Sequence, residues 1–323
     1  MTELMRAAIL EAPGRMVVGE VQKPEPGPGQ VRVRLEGCGV CASNLPPWEG
    51  RAWFTYPMEP GALGHEGWGR VDALGPDTAG LAVGDRVALL ASHSYAEFDV
   101  ADVGNVLALP HALDGRPFPG EPLGCAVNIF ARSRVEPGQT VAVIGIGFLG
   151  ALLTRLATDA GATTIALARR PFARQVALDM GAAHALPMPV GERWRAVEEV
   201  KALTDGKGCD VVIEAVGKQE PLDLASELTR ERGRLVIAGY HQDGLRSVNL
   251  QLWNWHGIDV VNAHERDPLM NTGGIERAID AVTSGELDPS PLYTHTFALD
   301  HLGDALDATR DRPDGFLKAL VRL

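Results

Sequence analysis

Followed along the chain, the alternation of apolar and polar positions changes period once. Up to about residue 120 the apolar runs are short and rich in β-branched residues. MRAAIL (5–10), RMVVGEV (15–21) and QVRVRLEG (30–37) are separated by EAPG and KPEPGPG, the pattern of strands joined by turns. GRVDALG (69–75), GDRVALL (84–90) and SYAEFDV (94–100) continue it. From about residue 122 continuous apolar runs alternate with helical spacing. VAVIG (141–145) precedes FLGALLTRLATDAG (148–161), and TTIALA (163–168) precedes RRPFARQVALDMGA (169–182). DVVIEAVG (210–217), RLVIAG (234–239) and GIDVVNA (257–263) are further strands with helical segments between them. Strands alternating with helices predict βαβ units and a parallel, doubly wound sheet in an α/β fold. The tail holds two helical stretches, GGIERAIDAVTSG and LDHLGDALDAT, and closes on FLKALVRL. No internal repeat interrupts this order.

Composition narrows the picture. A length of 323 residues predicts roughly two domains, and 45% hydrophobic with 22% charged residues is ordinary for a globular chain. The net charge of −12 argues against nucleic acid or an anionic membrane as a partner, since both require clustered cations. No apolar run reaches the length of a membrane span. The opening MTELMRAAIL has neither the apolar core nor the small-residue cleavage site of a secretory leader. The four cysteines, Cys38, Cys41, Cys125 and Cys209, are too scattered for a disulfide framework. A reduced, cytoplasmic setting is expected.

The change of period coincides with a candidate cofactor site. Gly145, Gly147 and Gly150 stand in G-x-G-x-x-G spacing directly after a predicted strand, with Phe148 and Leu149 opening the helix that follows. The first glycine allows a tight turn, the second admits a pyrophosphate against the backbone, and the third lets helix and strand pack closely. The phosphates then meet the free N–H groups and positive dipole of the helix N-terminus. At the end of the next strand an NAD site places a carboxylate for the ribose 2′-hydroxyl. Here Ala168 occupies that place and Arg169 and Arg170 follow. Cations at a helix start are unfavourable without an anion, and guanidinium groups pair with a 2′-phosphate, so NADP(H) is expected.

The first part of the chain carries residues that suit a metal. GALGHEGWG, residues 61–69, sets His65 beside Glu66 among four glycines. CGVCASN supplies Cys38 and Cys41, a C-x-x-C without the second pair that a zinc ribbon requires. Glu121 and Cys125 follow in EPLGC.

Together these marks resemble the zinc-dependent medium-chain alcohol and polyol dehydrogenases. EAPG, GVCASN, GHEGWGRVDALG, GDRV, SYAEF, EPL and GIGFLG occur in that family's order and span nearly the whole chain. The resemblance implies a GroES-like β-rich catalytic domain, residues 1–121 completed by 265–323, around a Rossmann dinucleotide-binding domain, residues 122–264. It implies one catalytic zinc, with Cys41 and His65 as ligands and Glu66 either binding directly or standing behind. Glu121 matches the third ligand of the polyol-type members, and Cys125 is its rival. Cys38 matches a cysteine that is often present without being a ligand. A homodimer or homotetramer is expected. Three departures stand out. The four clustered cysteines of a structural zinc are missing from ALLASHSYAEF, so a single zinc is expected. Asn44 replaces an aspartate, and Pro46 stands where a relay histidine is common.

The reaction implied is hydride transfer between NADP(H) and an alcohol/carbonyl pair, with zinc polarising the substrate oxygen and Ser43 passing the proton to a cofactor ribose or to water. Relatives that work without zinc as quinone or enoyl reductases lack the cysteine and histidine that Cys41 and His65 provide. A non-enzymatic redox sensor would have no use for a relay hydroxyl. Trp48 and Trp53 near the catalytic cysteine, and His241 in GYHQDG, are candidate substrate contacts for a polyol, sugar or cyclitol, with aryl or aliphatic alcohols as the alternative class.

Overall fold

The computed structural model describes residues 3–323. Met1 and Thr2, the first two residues of the stretch read above for a leader, lie outside them. The chain forms two compact units, Met1–Gly124 with Asp267–Leu323, and Cys125–Arg266.

The first unit opens with an antiparallel hairpin, β1 (Leu4–Ala12) and β2 (Arg15–Gln22), turned by Gly14 at a φ of +67°. Strand β3 (Gln30–Gly39) is the spine of the unit. A single 3-10 turn and the four-residue helix α1 (Leu45–Trp48) follow it. Strands β4 (Gly67–Leu74) and β6 (Phe98–Asp102) both pair antiparallel with β3. Strand β5 (Arg86–Leu89) extends the sheet from β4, and β7 (Val106–Ala108) extends it from β5. The period-two pattern of β3 turns Val31, Val33 and Leu35 into a core with Val71, Val87 and Leu89. The boundary between the units falls inside helix α2 (Gly120–Ser133).

The second unit alternates strand and helix throughout. Its elements are β8 (Thr140–Ile144), α3 (Phe148–Asp159), β9 (Thr163–Ala168), α4 (Pro171–Asp179), β10 (His184–Pro187) and α5 (Arg193–Leu203). Then come β11 (Cys209–Glu214), α6 (Gln219–Leu228), β12 (Thr229–Ile237), α7 (Leu250–His256) and β13 (Asp259–Asn262). The six strands are all parallel, in the order β10-β9-β8-β11-β12-β13. Numbered within the sheet this is the doubly wound Rossmann order, which reverses between β8 and β11. Burial on both faces explains the unbroken apolar runs of β8, β9 and β11.

The chain then returns to the first unit with α8 (Pro268–Ser284), β14 (His295–Ala298), α9 (Leu302–Asp311) and β15 (Ala319–Arg322). Strand β15 pairs antiparallel with β3, Leu320 opposite Gly39 and Val321 opposite Cys38, and parallel with β14. FLKALVRL is therefore a strand beside the segment that leads to Cys41. Among the described residues no helix is long and apolar enough to cross a membrane.

Candidate active site

The cysteine loop leaves the sheet where β3 ends. Val40 N–H still donates to Ala319 O of the neighbouring strand, at 2.9 Å. Cys41 then turns the chain as the cap of the 3-10 turn Ala42–Asn44, with its Sγ accepting from Ser43 N–H at 3.5 Å. The same turn is closed from the other side by Asn44 Oδ1, which accepts from Cys41 N–H at 3.2 Å. Asn44 is 2% exposed and fully used. Its Nδ2 donates to Leu63 O at 2.9 Å, and its Oδ1 lies 3.0 Å from the buried hydroxyl of Tyr95. One amide thus ties the Cys41 turn to the loop that carries His65.

Leu63 holds that loop in an unusual shape. Its φ of +75° is left-handed, which a side chain rarely adopts and which clusters at functional sites. The Leu63 carbonyl accepts from Asn44 and also lies 2.8 Å from His65 Nδ1. A carbonyl only accepts, so His65 Nδ1 carries a hydrogen, and Nε2 is the nitrogen that a metal would take in place of a proton. Burial acts to lower the His65 pKa. The hydrogen bond and charge of Cys41, then the charges of Glu66 and Glu121, more than offset this and raise it to about 10. The imidazole sits in a nest of negative charge.

Glu66 is completely buried. The Lys318 ammonium donates to its Oε1 at 2.7 Å and lies 2.5 Å from its Oε2, which accepts no directed hydrogen bond. Lys318 also donates to Val40 O at 3.0 Å. Burial alone would lower the Lys318 pKa; Glu66, with Cys41 and Glu121 behind it, raises it instead. The glycine at the end of β3 makes room for this carboxylate, since a Cβ on Gly39 would stand 1.8 Å from Glu66 Oε2.

Ligand atoms of Cys41, His65 and Glu66 lie within 4.8 Å of one another. Glu121, in the first turn of α2, is outside this tight group, yet burial raises its pKa and it interacts electrostatically with His65, Glu66 and Lys318. In metal-binding form the cluster holds a thiolate and two carboxylates against one ammonium, a net charge of about −2 with His65 neutral. A thiolate, an imidazole nitrogen and carboxylates fit a divalent ion of zinc's ligand preference. Cys38 is fully buried, donates to Gly39 O at 3.4 Å and is pushed well above the usual thiol range by burial and then by Glu66. It is a packed thiol. Cys125 falls in the second unit.

Ser43 lies beside the cluster, half-buried, and its hydroxyl makes no hydrogen bond among the described residues. Trp48 is not available to a ligand. It packs in the core with Tyr95, Leu302 and Leu306, and its Nε1 donates to Asp307 at 2.9 Å. Trp53 is 60% exposed. His241 belongs to the second unit and is held between Glu214 and Arg246.

In the second unit each glycine of the fingerprint shows its own reason. Gly145 has a φ of +93°, and a Cβ there would meet Val216 at 2.3 Å. A Cβ on Gly150 would stand 2.0 Å from Gly145 O, where helix and strand touch. Nothing lies within 4 Å of a Cβ on Gly147, which precedes Phe148 and Leu149 at the start of α3. That open space is the side on which a pyrophosphate approaches. Ala168 ends β9 with no carboxylate. Arg169 is half-exposed with its guanidinium 3.7 Å from Glu220, and Arg170 is the cap residue of α4. A third arginine, Arg174, donates to the carbonyls of Ala168 and Arg169 at 3.3 and 3.0 Å.

Lys318, Tyr95 and Leu63 escaped the sequence reading. Only Lys318 left a signal there, as a cation flanked by apolar residues in FLKALVRL, where a buried charge requires a partner.

Two family models match the chain. Residues 27–109 match the alcohol dehydrogenase GroES-like domain, and residues 149–282 match the zinc-binding dehydrogenase domain. A sorbitol dehydrogenase of Bacillus subtilis is 25% identical, covering 98% of this chain and 97% of its own. An alcohol dehydrogenase of Cupriavidus necator is 26% identical over the full length of both. Among solved structures, a zinc-binding dehydrogenase of Sinorhizobium meliloti bound to NADP superimposes with a TM-score of 0.87 at 26% identity, covering 99% of this chain and 100% of its own. With a GroES-like domain, a parallel Rossmann-like sheet and these full-length relatives, the chain belongs to the zinc-type medium-chain dehydrogenase/reductase family.

Proposed function

We propose that the protein is a zinc-dependent dehydrogenase that moves a hydride between NADP(H) and an alcohol/carbonyl pair, with a polyol, sugar or cyclitol as substrate. The observation that carries this reading is the cluster of half-buried Cys41 and His65 with buried Glu66, whose negative charge Lys318 balances only in part. In this reading Cys41, His65 and Glu121 hold one zinc ion per chain, and Lys318 keeps Glu66 behind them. When bound, zinc supplies a Lewis acid that polarises the substrate oxygen. Ser43 takes the hydroxyl proton as the carbinol hydride leaves for the nicotinamide, a step that calls for a group able to accept and donate in turn. Asn44 fixes the direction of Cys41 through its backbone N–H.

Support for NADP(H) comes from Ala168 and the arginines after it, and from the NADP bound in the S. meliloti relative. Support for a polyol comes from the sorbitol dehydrogenases among the relatives and from Glu121 in EPL. The test is turnover of a panel of polyols, cyclitols and aryl alcohols with NADP+ and NAD+, before and after chelation. The expected result is chelator-sensitive oxidation of polyols or cyclitols with NADP+ preferred. Activity confined to aryl alcohols would move the substrate assignment, and preference for NAD+ would move the cofactor assignment.

A further inference from the structure

At the C-terminal edge of the parallel sheet, side chains outside the glycine motif form a continuous chain of hydrogen bonds. Glu214, the last residue of β11, is completely buried. Its Oε1 accepts from the N–H groups of Val216 and Gly217 at 2.7 and 2.8 Å. Its Oε2 lies 3.0 Å from His241 Nε2. On the other side of the imidazole, Arg246 Nε donates to His241 Nδ1 at 2.9 Å. A guanidinium only donates, so Nδ1 is the acceptor and the ring hydrogen sits on Nε2, pointing at Glu214. Arg246 also donates to Gly217 O at 2.9 Å and pairs with Asp243, which Lys218 reaches as well. The histidine therefore joins the loop after β12 to the loop after β11.

The place of this chain gives it meaning. The strand order reverses between β8 and β11, and sheets of this kind bind ligands outside the carboxyl ends of their strands at that point. Val216, held by Glu214, is the residue against which the Gly145 turn packs. Backbones approach closely here too: a Cβ on Gly239 would lie 2.2 Å from Gly217 N and 2.7 Å from Glu214 Oε2. The sheet consists of two mononucleotide-binding halves. The fingerprint glycines and Arg169 lie on the half formed by β8, β9 and β10. Glu214, His241 and Arg246 lie on the half formed by β11, β12 and β13.

We propose that His241 is a positioning residue for the nicotinamide half of the dinucleotide, fixing the loop 239–246 against the loop after β11 so that the second mononucleotide site is preformed. This rests on the reading of the second unit as an NADP(H) site. Without the link the loop samples other conformations, and the apparent dissociation constant rises in inverse proportion to the fraction still competent. The adenosine half has no such dependence.

The test measures binding of NADPH and of the fragment 2′,5′-ADP by calorimetry, in the wild type and in His241→Phe and His241→Gln. Glutamine offers one amide donor and one carbonyl acceptor at about the spacing of the two ring nitrogens; phenylalanine offers neither. The expected result is a rise of about tenfold or more in the NADPH dissociation constant for His241→Phe, as for a loop left about one-tenth competent. Affinity for 2′,5′-ADP should stay unchanged, and His241→Gln should recover most of the NADPH affinity. Equal weakening of both ligands would show general damage and overturn the proposal, as would NADPH binding that is the same in all three proteins. A wild type that binds neither NADPH nor NADH would overturn the reading beneath it, and the proposal with it.

Discussion

Glu66 is buried with one ammonium beside it, and that pairing decides what substitutions there do. Lys318→Met would strand the carboxylate in the interior, and removing one partner of a buried pair costs about 3–5 kcal/mol. Urea denaturation of the metal-stripped variant should read a loss of that size, and adding Glu66→Gln should restore most of it. A double variant no more stable than the single one would mean that packing, and not charge, is responsible. Ser43 gives a second test at this scale. Serine often caps helices, but here Cys41 Sγ and Asn44 Oδ1 make the cap and the Ser43 hydroxyl takes no part in it. Ser43→Ala should therefore leave the melting temperature almost unchanged while kcat falls by roughly 10²-fold, the scale of a lost proton-transfer group. Unchanged kcat would remove Ser43 from the relay. The neighbours of these residues were only partly legible in the sequence. Cys41, His65 and Glu66 stood out because their types and glycine-rich setting suit a metal. Tyr95 and Leu63 did not, because a carbonyl aimed by left-handed backbone and a phenol buried under a loop leave no periodic trace.

Among the elements, apolar runs made most strands of both units readable, whereas the short strands β7, β10 and β14 and helices such as α1 and α2 were obscured. Helix α2 opens with Gly120 and Pro122 and contains Gly124, residues that suggest a turn. Helix α1 holds Pro46 and Pro47, tolerated because the first turn leaves its N–H groups unpaired. Trp48 rides on that short helix into the core, so nearness in sequence to the cysteine misled as to its role. The strand-to-helix turn after β8, by contrast, was legible down to its glycines, and it allows a clean test. Gly147 has a φ of −96°, and nothing lies within 4 Å of the place a Cβ would take. Gly147→Ala should leave the stability of the free protein intact and weaken NADPH binding severely, since the methyl group takes the space a pyrophosphate would occupy. Calorimetric titration beside a thermal melt checks this; tight binding in the variant would place the phosphates elsewhere. At the end of β9, replacing Arg169 and Arg170 by uncharged residues should weaken NADPH far more than NADH. Arg169 also stands 3.7 Å from Glu220, but both groups are partly exposed, where an ion pair contributes about 0–1 kcal/mol. Equal loss for the two cofactors would show that the arginines do not read the 2′-phosphate.

For the molecule as a whole, the order of a β-rich region and a βαβ region was legible in the one change of period, and the return of the tail to the first unit was implied by the family resemblance alone. The pairing of the tail was not: that β15 lies against β3 and delivers Lys318 to Glu66 is a contact between residues 252 positions apart. Local patterning cannot encode it. The segment leading into β15 brings one cation, and with the ligands in metal-binding form a charge of about −2 remains, which one divalent ion would neutralise. The most direct measurement is metal content and NADP+-dependent alcohol oxidation on the same preparations of wild type, chelated wild type and Cys41→Ala. The expected result is one zinc per chain in the wild type, with metal and activity lost together in the other two and activity regained when zinc is returned to the chelated wild type. Full NADP+-dependent activity in protein shown to be free of metal would contradict the account.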